Sequence, residues 1–304
     1  MRSFLMISRL AGRVGRLATW VSALAALTLV PPPRAASAQA SAAAAPVAAS
    51  RAATPRDRWA DSASRLIAQA VRAGDRAALG GARTLLDRAL IAMPDDPLLT
   101  HYAGYAAYRE AILTMARGTT GADAERDRQA ARTLLDRADS LLARSAERLP
   151  LAESFALRAS VIGMQIGVGR NPAAAMWLGP KAGAAMDEAL RRGPRNPRVQ
   201  LLRGMSAFNT PSMWGGGAER AREYLAQAVT LFAADRPAPP LPGWGDAEAH
   251  LWLGRAWHAL GQPDSARAAY ARARAIEPDN QWLTRVLIPR LERGAPAAPA
   301  GERW

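Results

Sequence analysis

No cysteine occurs among the 304 residues. That excludes a disulfide framework, a thiolate metal site, a cysteine nucleophile and a lipoprotein cysteine. Strand signatures are also missing, since no stretch alternates β-branched and polar residues over the length of a strand. Lysine is nearly absent, Lys181 being the single one, and aromatic residues make up 6% of the chain. There is no Gly-x-Ser-x-Gly elbow, phosphate loop or dinucleotide fingerprint, and no His-x-x-x-His or Glu-x-x-His pair. The three histidines, His101, His250 and His258, do not have the close spacing of metal ligands. Neither a cofactor nor a metal is expected, and an enzyme would rest on nothing more specific than scattered carboxylates.

What is present points to helices. Hydrophobic residues make up 49% of the sequence, and Ala, Leu and Arg dominate it. Ala loses no side-chain entropy in a helix, and Leu and Arg lose little. The first 38 residues read as an export leader. Arg2, Arg9, Arg13 and Arg16 precede an uncharged run from Leu17 to Val30, fourteen residues and short for a membrane span. Pro31 to Pro33 then break any helix, and Ala36-Ser37-Ala38 offers small residues for cleavage before Gln39. Arg13-Val14-Gly15-Arg16 is not a twin-arginine pair, so the general secretory route is expected, to the periplasm or beyond, with no stable membrane span after cleavage. The remaining chain has 35 basic and 26 acidic residues, a formal charge of about +9. Such a charge ordinarily suggests nucleic acid, but an exported protein seldom meets any, so no nucleic-acid partner is expected.

Residues 39–56, mostly Ala, Ser, Pro and Val, read as a flexible linker, and 294–304, rich in Ala, Pro and Gly, as a disordered tail. Between them, residues 57–293 show self-similarity. Ala82-Arg83-Thr84-Leu85-Leu86-Asp87-Arg88-Ala89 recurs without change at Ala131 to Ala138. Pro94-Asp95-Asp96-Pro97, Pro194-Arg195-Asn196-Pro197 and Pro278-Asp279-Asn280-Gln281 each separate two amphipathic stretches. In each, the first proline stops one helix and Asp or Asn can cap the next. The clearest unit runs from Ala247 to Asn280, thirty-four residues with Leu253-Gly254, Trp257, Ala266, Tyr270, Ala273 and Pro278. Gly254 and Ala273 are small where two antiparallel helices must approach, and Gly261-Gln262-Pro263-Asp264 reads as the turn, with Asp264 as cap.

That spacing resembles the tetratricopeptide repeat family, with His250 departing from the usual large apolar residue. Counting outward gives units at 63–96, 97–149, 152–196 and 197–237. The last three carry extra residues that we place in the turn between their helices. The resemblance implies an all-α, right-handed solenoid of about five helix-turn-helix units, closed by a capping helix over 279–293 that Pro289 should bend. It further implies that the first helix of each unit lines a concave groove. Carried over, the groove residues are His101, Tyr105, Tyr108, Arg109, Arg198, Met205, Phe208, Asn209, Arg255 and His258.

Aromatic, Met and Arg side chains of this kind favour a protein or peptide partner, and three arginines from three units favour an acidic segment. Ile67 and Val71 stand where the family's clamp for acidic C-termini has Lys and Asn, so that specificity is not expected. The expected function is an exported scaffold without catalysis. The alternative is a small-molecule binder, similar to the repeat proteins that accompany certain solute transporters. It would need an enclosed apolar pocket near Tyr105, Tyr108, Met164 and Phe208. One further segment, Asn209 to Gly217, ends in three glycines before a helix. It reads either as an anion cradle or as a long turn that needs positive φ and packs Trp214 against a neighbour.

Overall fold

A computed structural model of the chain describes residues 53–116, 118–169 and 171–297. The leader and its cleavage site, most of the linker and the end of the tail lie outside the described residues. Those described form helices, turns and loops, with no strand among them.

Five helical hairpins stack in chain order. They are α1 Pro55–Ala73 with α2 Arg76–Ala92, α3 Pro97–Met115 with α4 Gly121–Arg148, α5 Ala152–Gly169 with α6 Pro172–Arg192, α7 Pro197–Asn209 with α8 Ala218–Phe232, and α9 Asp246–Ala259 with α10 Pro263–Ile276. Each helix packs on its neighbours in sequence, and first helices also pack on first helices, as α1 on α3 and α5 on α7. Helix α1 starts at Pro55, inside the stretch read as linker, because Thr54 and Asp57 form a reciprocal capping box there.

The recurring octapeptide is the inner stripe of two equivalent helices. Ala82, Leu86 and Ala89 on α2, and Ala131, Leu135 and Ala138 on α4, are all fully buried. Positions i, i+4 and i+7 share one helix face, so one short pattern solves the same packing problem twice. Leu66 departs from the frame. It is exposed on α1, the first described helix, and Ile67 is buried instead.

The proline punctuation works as its chemistry suggests. Asp96 accepts hydrogen bonds from the N–H groups of Leu98 and Leu99, and Asn196 from those of Arg198 and Val199. Pro97 and Pro197 occupy the first helical turn, where no N–H is needed. Asp264 is not a cap. Helix α10 begins one residue earlier, at Pro263, and Asp264 pairs with Arg267 at 2.5 Å within the first turn.

Glycine marks three helix crossings. A Cβ at Gly104 would lie 2.7 Å from Leu142 Cγ, at Gly204 2.6 Å from Leu225 Cγ, and at Gly254 2.4 Å from Tyr270 Cδ1. The extra residues of the middle units were expected in turns, and in two units they lengthen helices instead. Helix α4 has 28 residues and α6 has 21, against 14 for α10. Helix α4 continues until Leu149, and α6 until Gly193 even with Pro180 inside it, so growth of the hairpin satisfies more backbone groups than a long loop would.

After α10 comes a π turn, Leu283–Leu287, continuing into α11, Ile288–Glu292. The N–H of Ile288 reaches back five residues to the carbonyl of Leu283. Pro289 has no N–H and crowds the carbonyl four residues earlier, which accounts for a widened turn at this place.

Candidate functional site

The inner face is not an open groove. The thirteen-residue connection 233–245 between α8 and α9 runs across it to the first two hairpins. Tyr102 Oη donates to the carbonyl of Pro240 at 2.7 Å, and the Trp244 ring stacks on Tyr105 with centroids 4.7 Å apart. Gly245 turns the chain into α9 at φ 111°, where a Cβ would meet Leu201 at 2.9 Å and Phe232 at 3.0 Å. Both its conformation and its confinement require glycine.

Two recesses share Met205 in their walls. The first, of about 280 Å³, lies between α1, α3, α7, Trp244 and the ends of α9 and α10. Its aromatic walls are Tyr105, Trp244, Trp252 and Trp282, and its charged groups are Arg72, Arg109, Asp246, Glu248 and Glu277. Opposite ends of the stack meet at its rim, where Arg72 Nε on α1 donates to Asp279 at 3.2 Å. The second, of about 390 Å³, lies between the C-terminal parts of α3, α5 and α7, with Tyr108, Met115, Met164 and Asn209 in its lining.

The sequence-predicted residues divide between these places and the core. Tyr105, Arg109 and Met205 line the first recess, and Tyr108 and Asn209 the second. Phe208 lines neither. It packs edge to face on Trp252 at 5.6 Å, beneath the Arg255 guanidinium. Arg255 lies over the rings of Trp252, Phe208 and Trp282 at 4.2, 4.7 and 5.0 Å. His258 faces the chain end, its Nε2 2.9 Å from the carbonyl oxygen of Ala295. The expected cluster of arginines offered to an acidic segment is therefore not what the fold presents. Arg109 Nη1 donates to both oxygens of Glu248, at 2.9 and 3.1 Å. Arg198 donates to Glu153 at 3.1 Å and, with both terminal nitrogens, to Asp235 at 2.7 and 3.0 Å. Such burial of arginine requires a matched carboxylate, and the chain supplies its own.

His101 is fully buried next to that network, with Nδ1 2.8 Å from Ser154 Oγ. Burial pushes its pKa down to about 4, against the pull of Glu153 and with the push of Arg198. The unfolded chain takes up this proton near pH 6.5 and the folded chain only near 4. Stability is thus fully present above about pH 6.5 and falls as pH drops through that window. A loss of about 3 kcal/mol between pH 7 and pH 4 is expected from this group. His101→Asn should flatten the pH dependence of urea unfolding in that window; an unchanged slope would count against a buried neutral imidazole.

The glycine segment is structural. Gly215, Gly216 and Gly217 donate to the carbonyls of Ser212, Pro211 and Thr210, and Gly217 also to that of Ala207. With those amides satisfied inside the turn, they do not form an anion cradle. Gly215 and Gly217 have φ of 83° and 102°. Trp214 does not pack on a neighbour as expected; it and Met213 stand exposed at the turn.

Sequence reasoning passed over Trp244, Trp252, Trp282 and Glu277, which with Tyr105 shape the first recess. The Pro-Gly-Trp-Gly run at 242–245 was the available signal, because an aromatic between glycines in a long connection is well placed to dock on another element.

Comparison with solved structures agrees with this architecture. A tetratricopeptide repeat protein from the thermophile Thermus thermophilus superposes with a TM-score of 0.53 at 20% identity, over 77% of this chain and 99% of that one. The HusA haemophore from Porphyromonas gingivalis gives a TM-score of 0.45 at 23% identity, over 65% of this chain and 92% of that one. No protein-family model matches the chain, and no curated protein does. The chain has a tetratricopeptide-like helical solenoid fold.

Proposed function

We propose that this is an exported, non-catalytic binding protein that holds a small molecule in the recess between Tyr105, Trp244 and Trp252. The observation that supports this over a peptide groove is the chain's own crossing of its inner face by residues 237–244. It leaves a partly enclosed space of about 280 Å³, close to the lower end of small-ligand sites, which run from about 300 Å³ upward. The walls are mostly apolar with a few fixed polar groups, as such sites require. Export rests on the basic, apolar and small-residue order of the first 38 residues.

A protein partner is the second reading. It is favoured by Met176 and Trp177 on α6 and by Met213 and Trp214 in the glycine turn, all at least 68% exposed. Large apolar side chains held in solvent are contact points more often than ornaments.

Ala68, half-buried on α1, lines the recess. Ala68→Trp should fill the space without displacing a core residue. A panel of amines, carboxylic acids, sugars and nucleosides, read by thermal shift, should include compounds that stabilise the parent and fail on this variant. If every hit stabilises both alike, the recess is not the binding site.

A further inference from the structure

The charges around the first recess are not balanced. Arg109 is matched by Glu248 at 2.9 Å and Arg72 by Asp279 at 3.2 Å. Two further carboxylates line the space, Asp246 and Glu277, and neither has a cation within ion-pair distance among the described residues. Asp246 is exposed in the first turn of α9, where water and the helix dipole stabilise a negative charge. Glu277 has less help. It is half-buried after the last turn of α10, and one oxygen accepts from Asn280 Nδ2 at 3.0 Å. Burial raises its proton affinity and the charge of Glu248 adds to that, against the Asn280 hydrogen bond and the charges of Arg72 and Arg109.

An independent set of groups also lacks partners. The indole N–H groups of Trp244 and Trp252, both lining the recess, have no hydrogen-bond acceptor. Trp252 is only 2% exposed. Those nitrogens are shielded from solvent, so a molecule in the recess meets the rings rather than these donors. The walls beside them are aromatic rings, whose faces attract positive charge, as Arg255 over Trp252 at 4.2 Å illustrates.

We propose, on the small-ligand reading, that the occupant of this recess is a compact organic cation, with an ammonium group at Glu277 and an aryl or alkyl body against Trp244 and Trp252. An ammonium at Glu277 gives the half-buried carboxylate the counter-charge it lacks. An anion would instead meet two unmatched carboxylates, Asp246 and Glu277, with Arg109 and Arg72 each already in an ion pair. Desolvating a carboxylate ligand without a free cation is costly, so the recess discriminates by sign of charge as well as by shape.

Three probes of one shape separate these effects: phenethylammonium, 2-phenylethanol and phenylacetate. Each is titrated calorimetrically into the full chain, into Glu277→Gln and into Ala68→Trp. Phenethylammonium should bind about tenfold more tightly than the alcohol, and phenylacetate most weakly. Glu277→Gln should cut the affinity for the cation about tenfold while leaving that for the alcohol within about twofold. Equal binding of cation and alcohol, tighter binding of the anion, or no effect of Glu277→Gln on the cation would each overturn the charge assignment. If the alcohol still binds the parent and is lost from Ala68→Trp, the recess holds small molecules and only the cation preference is wrong. If no probe binds the parent, or all bind Ala68→Trp equally, the small-ligand reading fails, and this inference with it.

Discussion

Arg198→Met is expected to destabilise the protein by about 3–5 kcal/mol, measured as a lower urea midpoint with an unchanged m-value. The Arg198 side chain is 3% exposed and joins two carboxylates, Glu153 at 8% and Asp235 at 19%. It begins α7, Glu153 begins α5, and Asp235 follows α8, so one guanidinium holds three separate elements. The methylene stem is retained in methionine, but buried Glu153 and half-buried Asp235 lose their counter-charge. An uncompensated buried charge costs far more than an exposed pair contributes. Arg267→Met is the control, because Arg267, itself 63% exposed, pairs with Asp264 at 94% exposure. Its loss should stay below about 1 kcal/mol. Equal effects of the two substitutions would show that the Arg198 network is no stronger than surface charge.

Gly254→Leu should cost about 3 kcal/mol or more, at the upper end of the range for overpacking. A methyl at this position would already lie 2.4 Å from two carbons of the Tyr270 ring. Tyr270 is 1% exposed and has no room to retreat. The helices α9 and α10 would have to separate, and the recess wall formed by Trp252 and Glu248 on α9 would move with them. Gly183 on α6, where an added Cβ meets nothing within 4 Å, is the comparison site. Leucine there should be tolerated within about 1 kcal/mol, helped by the better helix propensity of leucine. A melting temperature of Gly254→Leu equal to that of the parent would mean that the two helices do not cross at this glycine.

The repeat frame was legible because it is local. Small residues at crossings, apolar stripes at i, i+4 and i+7, and Pro-Asp or Pro-Asn breaks all act within a turn or two of helix. Gly104, Gly204 and Gly254 therefore stand at equivalent crossings, and Asp96 and Asn196 cap equivalent helices. Tyr105, Arg109 and Met205 could be placed on the inner face for the same reason. What that face contains was not legible, since it depends on contacts between distant segments. The ion pair of Arg109 with Glu248 spans 139 residues, and the hydrogen bond from Tyr102 to Pro240 spans 138. Nothing in either local sequence encodes the other. The positions of groove arginines follow from the repeat, but their partners come from other segments: Glu248 on α9, Glu153 on α5 and Asp235 in the connection after α8.

The hydrogen bond between Arg72 and Asp279 joins residues 207 positions apart. An open solenoid has two ends that fray independently, and its middle outlasts them. Here the recess takes part of its wall from α1 and part from the turn after α10. Its shape persists only while the first and last hairpins are both folded. A molecule seated there acts as a rivet across the seam. Occupancy should protect the two terminal hairpins from hydrogen exchange more than the middle ones, although the middle of the stack is where an array of repeats is ordinarily strongest.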